Sequence, residues 1–329
     1  MPILEPIQDY IDATGIGVVR WFAASSARKV ELPGEQLKNT PEVIDYNPDA
    51  VIVPGNVVPH FWPGLKVQIF HGLGEDKKGH YRITGFFDLY CTPGPFITSR
   101  FEALARRHHN FLVRETGWPK LDRLVNPPPR AELKKQMGFA PDLPLILYAP
   151  TFSPKYSSAG ELAGAIGRLQ GRPWQWLIKF HDLMDKSVIE NYRKLESGLL
   201  RISTDDDIIP LLQATDVLVS DTSSVTYEYL MLDRPIITYR AAVRTDQGIN
   251  IFEPLQLEAA VESALTNPAA YQEQRKHYLN DLHPYRDGQS SRQVLEAIEW
   301  ALDADRLENL RRKPLNLLRK RQIRKIVSW

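Results

Sequence analysis

Apolar runs of strand length alternate with helical patterns from one end of the chain to the other, the habit of parallel sheets covered by helices on both faces. In the first half the runs 17–22, 50–53, 66–70, 87–91 and 110–113 read as strands, with helices at 4–13 and 97–108. In the second half strands are expected at 143–148, 174–179, 200–202, 217–220 and 235–238, with helices such as 187–196 and 223–232 between them. The chain enters directly on its first helix without the strand that normally leads into one, which suggests a truncated N-terminus. A proline-rich stretch, 126–130, followed by a short helix at 131–137, marks an interdomain link. The pattern predicts an α/β protein of two Rossmann-like, doubly wound domains facing a cleft, at 1–127 and 128–304, with a basic amphipathic tail at 305–329.

The 329 residues exceed the size at which one core usually keeps growing, in agreement with two domains. Hydrophobic residues at 43% and charged residues at 25% exclude a disordered or fibrous chain. The balance of 41 basic against 40 acidic residues argues against a protein built around nucleic acid. Cys91 is the single cysteine, which excludes an internal disulfide and a cysteine zinc cluster and fits a reducing compartment. No apolar run reaches the length of a membrane span, and residues 1–11 lack the pattern of a secretory leader, so a cytoplasmic location is expected.

The strongest local signal is Val217-Leu218-Val219-Ser220-Asp221-Thr222-Ser223-Ser224, a buried strand running into hydroxyl-rich residues and then a helix. Unpaired N–H groups in a first helical turn, with Asp221, Thr222, Ser223 and Ser224 around them, suit a pyrophosphate. Helix capping accounts for the same residues equally simply. Glu228, further along that helix, is placed to reach a ribose hydroxyl or else to lie in solvent. His71, before Gly72, and His181, after Lys179 and Phe180, each follow a strand directly, where a histidine takes a proton from an attacking hydroxyl or supports a phosphate leaving group. Either is also compatible with a structural role. Gly72 allows close backbone approach. The loop Thr116-Gly117-Trp118-Pro119-Lys120-Leu121-Asp122 offers turn backbone to a flat base, or is an ordinary connector. Thr151, in Tyr148-Ala149-Pro150-Thr151-Phe152, brings a hydroxyl to a strand's carboxyl end. His60, His80, His108, His109, His277 and His283 read as surface or capping residues. No spacing supports a bound metal, and no cofactor is expected.

Taken in order, His71-Gly72 with Lys77, Lys78 and Gly79, then 116–122, then 148–152, then Lys179-Phe180-His181, then 220–224, then Asp287-Gly288-Gln289-Ser290-Ser291-Arg292, this chain resembles the CDP-glycerol glycerophosphotransferase family over about residues 65–300. The resemblance implies a B-type glycosyltransferase fold, with the acceptor in the N-terminal domain and the nucleotide donor in the C-terminal one. It implies that His71 is the base on the acceptor hydroxyl and that His181 contacts the donor phosphates as CMP is displaced. It further implies that Asp221, Ser223 and Ser224 are the diphosphate and ribose contacts and that Gly117 and Pro119 border the cytosine, with Lys179 also counted as donor-binding. The chain departs from the family pattern at Asp182, where proline is common, and at Phe70, where tryptophan is. A nucleotide-sugar glycosyltransferase, a nucleotide-sugar 2-epimerase and a non-catalytic glycopolymer-binding protein are the alternatives. The expected partners are CDP-glycerol or a related donor, a saccharide or lipid-linked acceptor, and no nucleic acid. From Arg311 onward the tail carries eight basic residues and no acid, interleaved with leucines and isoleucines and ending at Trp329, a composition suited to an anionic membrane surface on the inner face of the cell membrane, or to a solvated tail, and less to a nucleic acid or a partner.

Overall fold

Alternate residues of the run Leu65–Ile69 turn to opposite faces of a strand, and both faces are covered. Leu65, Val67 and Ile69 pack with Leu89 and Cys91 against Ile7 and Ile11 of the helix Glu5–Thr14 and against Val294, Ala297, Ile298 and Ala301 of the helix Ser290–Leu302. The spacing 294, 297, 298, 301 is that of one helical stripe. On the other face Phe70 and Tyr90 meet Ile97 and Phe101 of the helix Pro95–His108, together with Phe111.

The computed structural model describes residues 3–23, 32–74 and 81–327, which divide into two units, Met1–Arg123 with Asn280–Trp329, and Leu124–Leu279. Lys77, Lys78, Gly79 and Trp329 lie outside the described residues. The first unit holds a parallel sheet of β1 (Ala50–Val53), β2 (Leu65–Ile69), β3 (Leu89–Thr92) and β4 (Leu112–Glu115), in that spatial order. The run 17–22 forms no strand. It makes one isolated bridge, Trp21 with Gln36; Trp21 is buried, but Val18 stays 65% exposed and no ladder continues to either side of the bridge. The helix Ser290–Leu302 packs within the first unit, whereas the pattern carried the second domain to 304.

The basic C-terminal segment is built into this unit. Lys313 pairs with Asp88 and donates to the Phe86 carbonyl at 3.0 Å, and Asn316 Nδ2 donates to the Thr84 carbonyl at 2.8 Å. Gly85 sits at φ +75°, and a Cβ there would come within 2.7 Å of Pro314 Cγ. Ile323 of the helix Leu317–Val327 is 3% exposed within the aromatic core.

The second unit holds six parallel strands, β5 (Leu145–Tyr148), β6 (Gln175–Lys179), β7 (Leu200–Ser203), β8 (Val217–Ser220), β9 (Ile236–Tyr239) and β10 (Ile249–Ile251), in the order β10-β9-β8-β5-β6-β7. The chain winds outward from β5 to β7 and then returns to the other side of β5 with β8. That reversal is a topological switch point, the place where ligands bind in open α/β sheets. Ile146, Trp176, Ile178, Val217, Val219 and Ile237 form one buried face under the helices Ala159–Arg168 and Leu257–Thr266. The strand β10 has no counterpart in the sequence pattern. It is three residues long, and its central Asn250 accepts from the Thr238 hydroxyl at 3.0 Å.

Candidate functional site

Thr151 and the run 221–224 leave the carboxyl ends of β5 and β8, the two strands that flank the switch point. The Asp221 carboxylate is turned into the protein. It accepts from Thr151 N at 2.8 Å, from Ser158 N at 2.9 Å and from Ser158 Oγ at 2.9 Å, and only 2% of the residue is exposed. Burial pushes its pKa above the ordinary carboxylate value, and these bonds partly offset the shift. Asp221 therefore braces the loop after β5 from below and does not point at a ligand. Ser158 carries the sequence signal of a capping box, Ser158-Ala159-Gly160-Glu161, yet its hydroxyl serves Asp221 and Tyr148.

This brace changes the account of the hydroxyls beyond it. Ser224, at the N-terminus of the short helix Val225–Tyr229, makes no capping bond. Among the described residues no hydrogen bond engages the hydroxyls of Thr222, Ser223 or Ser224. Thr222 is exposed and the two serines are half-buried. Glu228 is 5% exposed and so is not the solvated alternative. Thr151 is half-buried.

On the neighbouring strand, Lys179 ends β6 half-buried and His181 follows it, exposed. Leu183 N donates to His181 Nδ1 at 3.1 Å. A neutral imidazole that accepts at Nδ1 carries its proton on Nε2. Its ring lies 4.5 Å from the Phe152 ring at an interplanar angle of 36°, which brings the loops after β5 and β6 together.

In the first unit His71 is exposed directly after β2 and Phe70, and Gly72 is buried. The loop is anchored by Trp118 Nε1, which donates to the Phe70 carbonyl at 2.6 Å. Gly117 and Pro119 belong to this unit and are buried. Gly117 adopts φ +77°, and a Cβ on it would fall 2.5 Å from Ser290 Oγ and 3.0 Å from Tyr285 Cδ2, so Ser290 and Tyr285 leave no room for a side chain there. Asp122 accepts from Ser290 N at 3.0 Å, Ser291 N at 2.8 Å and Ser291 Oγ at 2.9 Å, capping the helix Ser290–Leu302 from 168 residues away. The motifs 116–122 and 287–292 are thus two halves of one structural latch.

His283, read from the sequence as a surface or capping residue, is 1% exposed, and its Nε2 accepts from Trp118 N at 2.9 Å. Burial pushes its pKa from 6.5 down to about 4. Below pH 6.5 the unfolded chain then binds a proton that the folded protein refuses. Stability is intact above that value and declines as pH falls towards about 4, by about 3 kcal/mol in all. His283→Gln retains an acceptor for Trp118 N without a titrating ring. Denaturant midpoints measured across this interval should fall more steeply for the parent than for the variant, and equal slopes would contradict the assignment.

The family model described as CDP-Glycerol:Poly(glycerophosphate) glycerophosphotransferase matches residues 68–249, a span that holds every candidate residue from His71 to Glu228. Over 175 residues the chain is 24% identical to the teichoic acid poly(glycerol phosphate) polymerase of Bacillus spizizenii, covering 50% of this chain and 43% of that protein. The chain spans 43%, 28% and 51% of the length of three such teichoic acid polymerases. Among solved structures, the wall teichoic acid polymerase TagF soaked with CDPG superposes with a TM-score of 0.67 at 18% identity, over 92% of this chain and 85% of that one. A candidate UDP-N-acetylglucosamine 2-epimerase from Listeria monocytogenes gives 0.64 at 16% identity, over 93% and 94%. These likenesses are of fold, and they make this a two-domain α/β protein of the GT-B type.

Proposed function

We propose, because the chain belongs to the CDP-Glycerol:Poly(glycerophosphate) glycerophosphotransferase family, that it transfers glycerol phosphate from CDP-glycerol to a lipid-linked or polymeric saccharide acceptor in the synthesis of a cell-surface glycopolymer. The acceptor hydroxyl oxygen attacks the phosphorus that bears glycerol, and His71 takes its proton. A phosphodiester forms as the phosphoanhydride breaks, and the electron pair leaves on the phosphate of CMP. The Nε2–H of His181 and the hydroxyls of Thr222, Ser223 and Ser224 donate to the donor's charged oxygens, with Lys179 adding positive charge. Thr151, half-buried after β5, is assigned to the same donor contacts, with Glu228 behind them.

The observation that supports this reading most is the switch point. Thr151 and 221–224 flank it, His181 follows the next strand, β6, and the serine hydroxyls have no partner among the described residues. His181→Ala and Ser223→Ala should each weaken CDP-glycerol binding by about 1.5–3 kcal/mol, roughly 10- to 100-fold, in titration calorimetry. Unchanged affinity in both variants would remove the cradle. A nucleotide-sugar glycosyltransferase is the second reading, favoured by the departures at Phe70 and Asp182; UDP- and CMP-sugars in the same titration distinguish it. An epimerase needs carboxylates free to shuttle protons, and Asp221 is saturated by its own chain.

Among the described residues no helix is long and apolar enough to cross a membrane. The reading places the protein in the cytoplasm, on the inner face of the cell membrane. The basic residues from Arg311 to Lys325 attract it there, at roughly 1 kcal/mol per charge near an anionic leaflet.

A further inference from the structure

At the amino edge of the first sheet, opposite the edge from which His71 and Gly117 emerge, lies a cavity of about 490 Å³. Its floor is the entry of three parallel strands: Leu65 and Lys66 open β2, Asp88 precedes β3 and Asn110 precedes β4. The rim comes from the C-terminal segment, with Arg311 and Arg312 exposed and Lys313 half-buried. Arg311 N donates to the His109 carbonyl at 2.7 Å, which fixes that segment over the strand entries.

Four cations face one carboxylate here, and Asp88 already holds Lys313 and accepts from Lys66 N at 2.7 Å. The cavity is therefore positive in sum. Burial holds both Lys66 and Lys313 below the ordinary lysine value, so an anion entering the cavity relieves a cost the fold already carries. Asn110 is 6% exposed, and its Oδ1 has no hydrogen-bond partner among the described residues, which leaves an acceptor waiting for a hydroxyl. The remaining wall, Leu302, Leu307 and Leu310, is apolar.

We propose that this cavity binds the phosphate headgroup of an anionic glycerophospholipid and seats the first unit on an anionic bilayer by its amino edge. The phosphate meets Lys66, Arg311 and Arg312, a headgroup hydroxyl donates to Asn110 Oδ1, and the carbons next to the phosphate lie on the leucine wall. A bilayer, and not a soluble phosphate, is the source because the chain continues from the rim into Leu315, Leu317 and Leu318, which are 72%, 69% and 82% exposed beside the exposed Arg321, Arg324 and Lys325. The site deepens the membrane-surface part of the proposed function and rests on it, but shares no residue with the transfer step.

The test is titration of the full chain with dihexanoylphosphatidylglycerol below its micelle-forming concentration, beside dihexanoylphosphatidylcholine, glycerol phosphate and inorganic phosphate. Saturable binding of the anionic lipid is expected, about tenfold or more tighter than any of the others. The double variant Arg311→Gln/Arg312→Gln, at exposed positions and checked by its melting curve, should lose about tenfold or more, whereas Arg106→Gln/Arg107→Gln, with the same charge change on the helix Pro95–His108, should bind as the parent. No binding, an Arg311/Arg312 variant that binds as the parent, or inorganic or glycerol phosphate binding as tightly as the lipid would each overturn the proposal. Co-sedimentation with phosphatidylglycerol vesicles separates the two levels. Sedimentation that persists without short-chain lipid binding sinks the cavity alone, and a parent that never sediments sinks the membrane reading with it.

Discussion

His71→Ala should abolish transfer, lowering kcat by roughly 10²- to 10⁴-fold, while CDP-glycerol affinity stays within about threefold. A base on the acceptor hydroxyl acts where charge moves in the transition state and adds little to the bound donor. The geometry around His71 suits the role. It follows β2 directly and is exposed, and the carbonyl of the preceding Phe70 is held by the Trp118 indole at 2.6 Å, so the loop is fixed although the side chain reaches solvent. Single-turnover rates and calorimetric affinities on one preparation check both halves. Loss of donor affinity equal to the loss of rate would move His71 out of the base position.

Asp221→Ala should cost about 3 kcal/mol or more of stability with no donor present. The substitution strands Thr151 N, Ser158 N and the Ser158 hydroxyl, and each buried donor left unpaired costs about 1–3 kcal/mol. Asp221→Asn keeps an acceptor oxygen and should recover part of the loss. Urea unfolding of the donor-free protein reads this directly. Weaker donor binding follows only as a consequence, because the loop that carries Thr151 and Phe152 loosens. Unchanged stability with donor affinity lost would instead make Asp221 a ligand contact.

The strands were legible from their apolar runs, the half-buried β1, β4 and β7 included. The runs at β2, β5, β6, β8 and β9 are buried throughout or nearly so, and a pattern of hydrophobic positions carries that directly. The run 17–22 has the same composition but only one bridge, since strand formation depends on a partner that composition does not report. The polar motifs did not show which of their carboxylates serve the chain itself. Asp122 and Asp221 stand in conspicuous motifs, but their partners lie 168 and 63 residues away, and no local spacing shows a carboxylate reaching that far. His283 looked like a surface histidine because its burial depends on the loop around Trp118. The C-terminal segment read as an appendage because its charge is conspicuous, whereas Ile323, which docks its last helix in the core, is not.

The central claim, transfer of glycerol phosphate from CDP-glycerol, is tested most directly by incubating the protein with CDP-glycerol labelled in the glycerol phosphate and a lipid-linked saccharide acceptor, then counting CMP released against label incorporated. The account predicts one CMP for each labelled phosphodiester, with both lost in His71→Ala. CDP-glycerol left intact while a nucleotide sugar is consumed under the same conditions would contradict it.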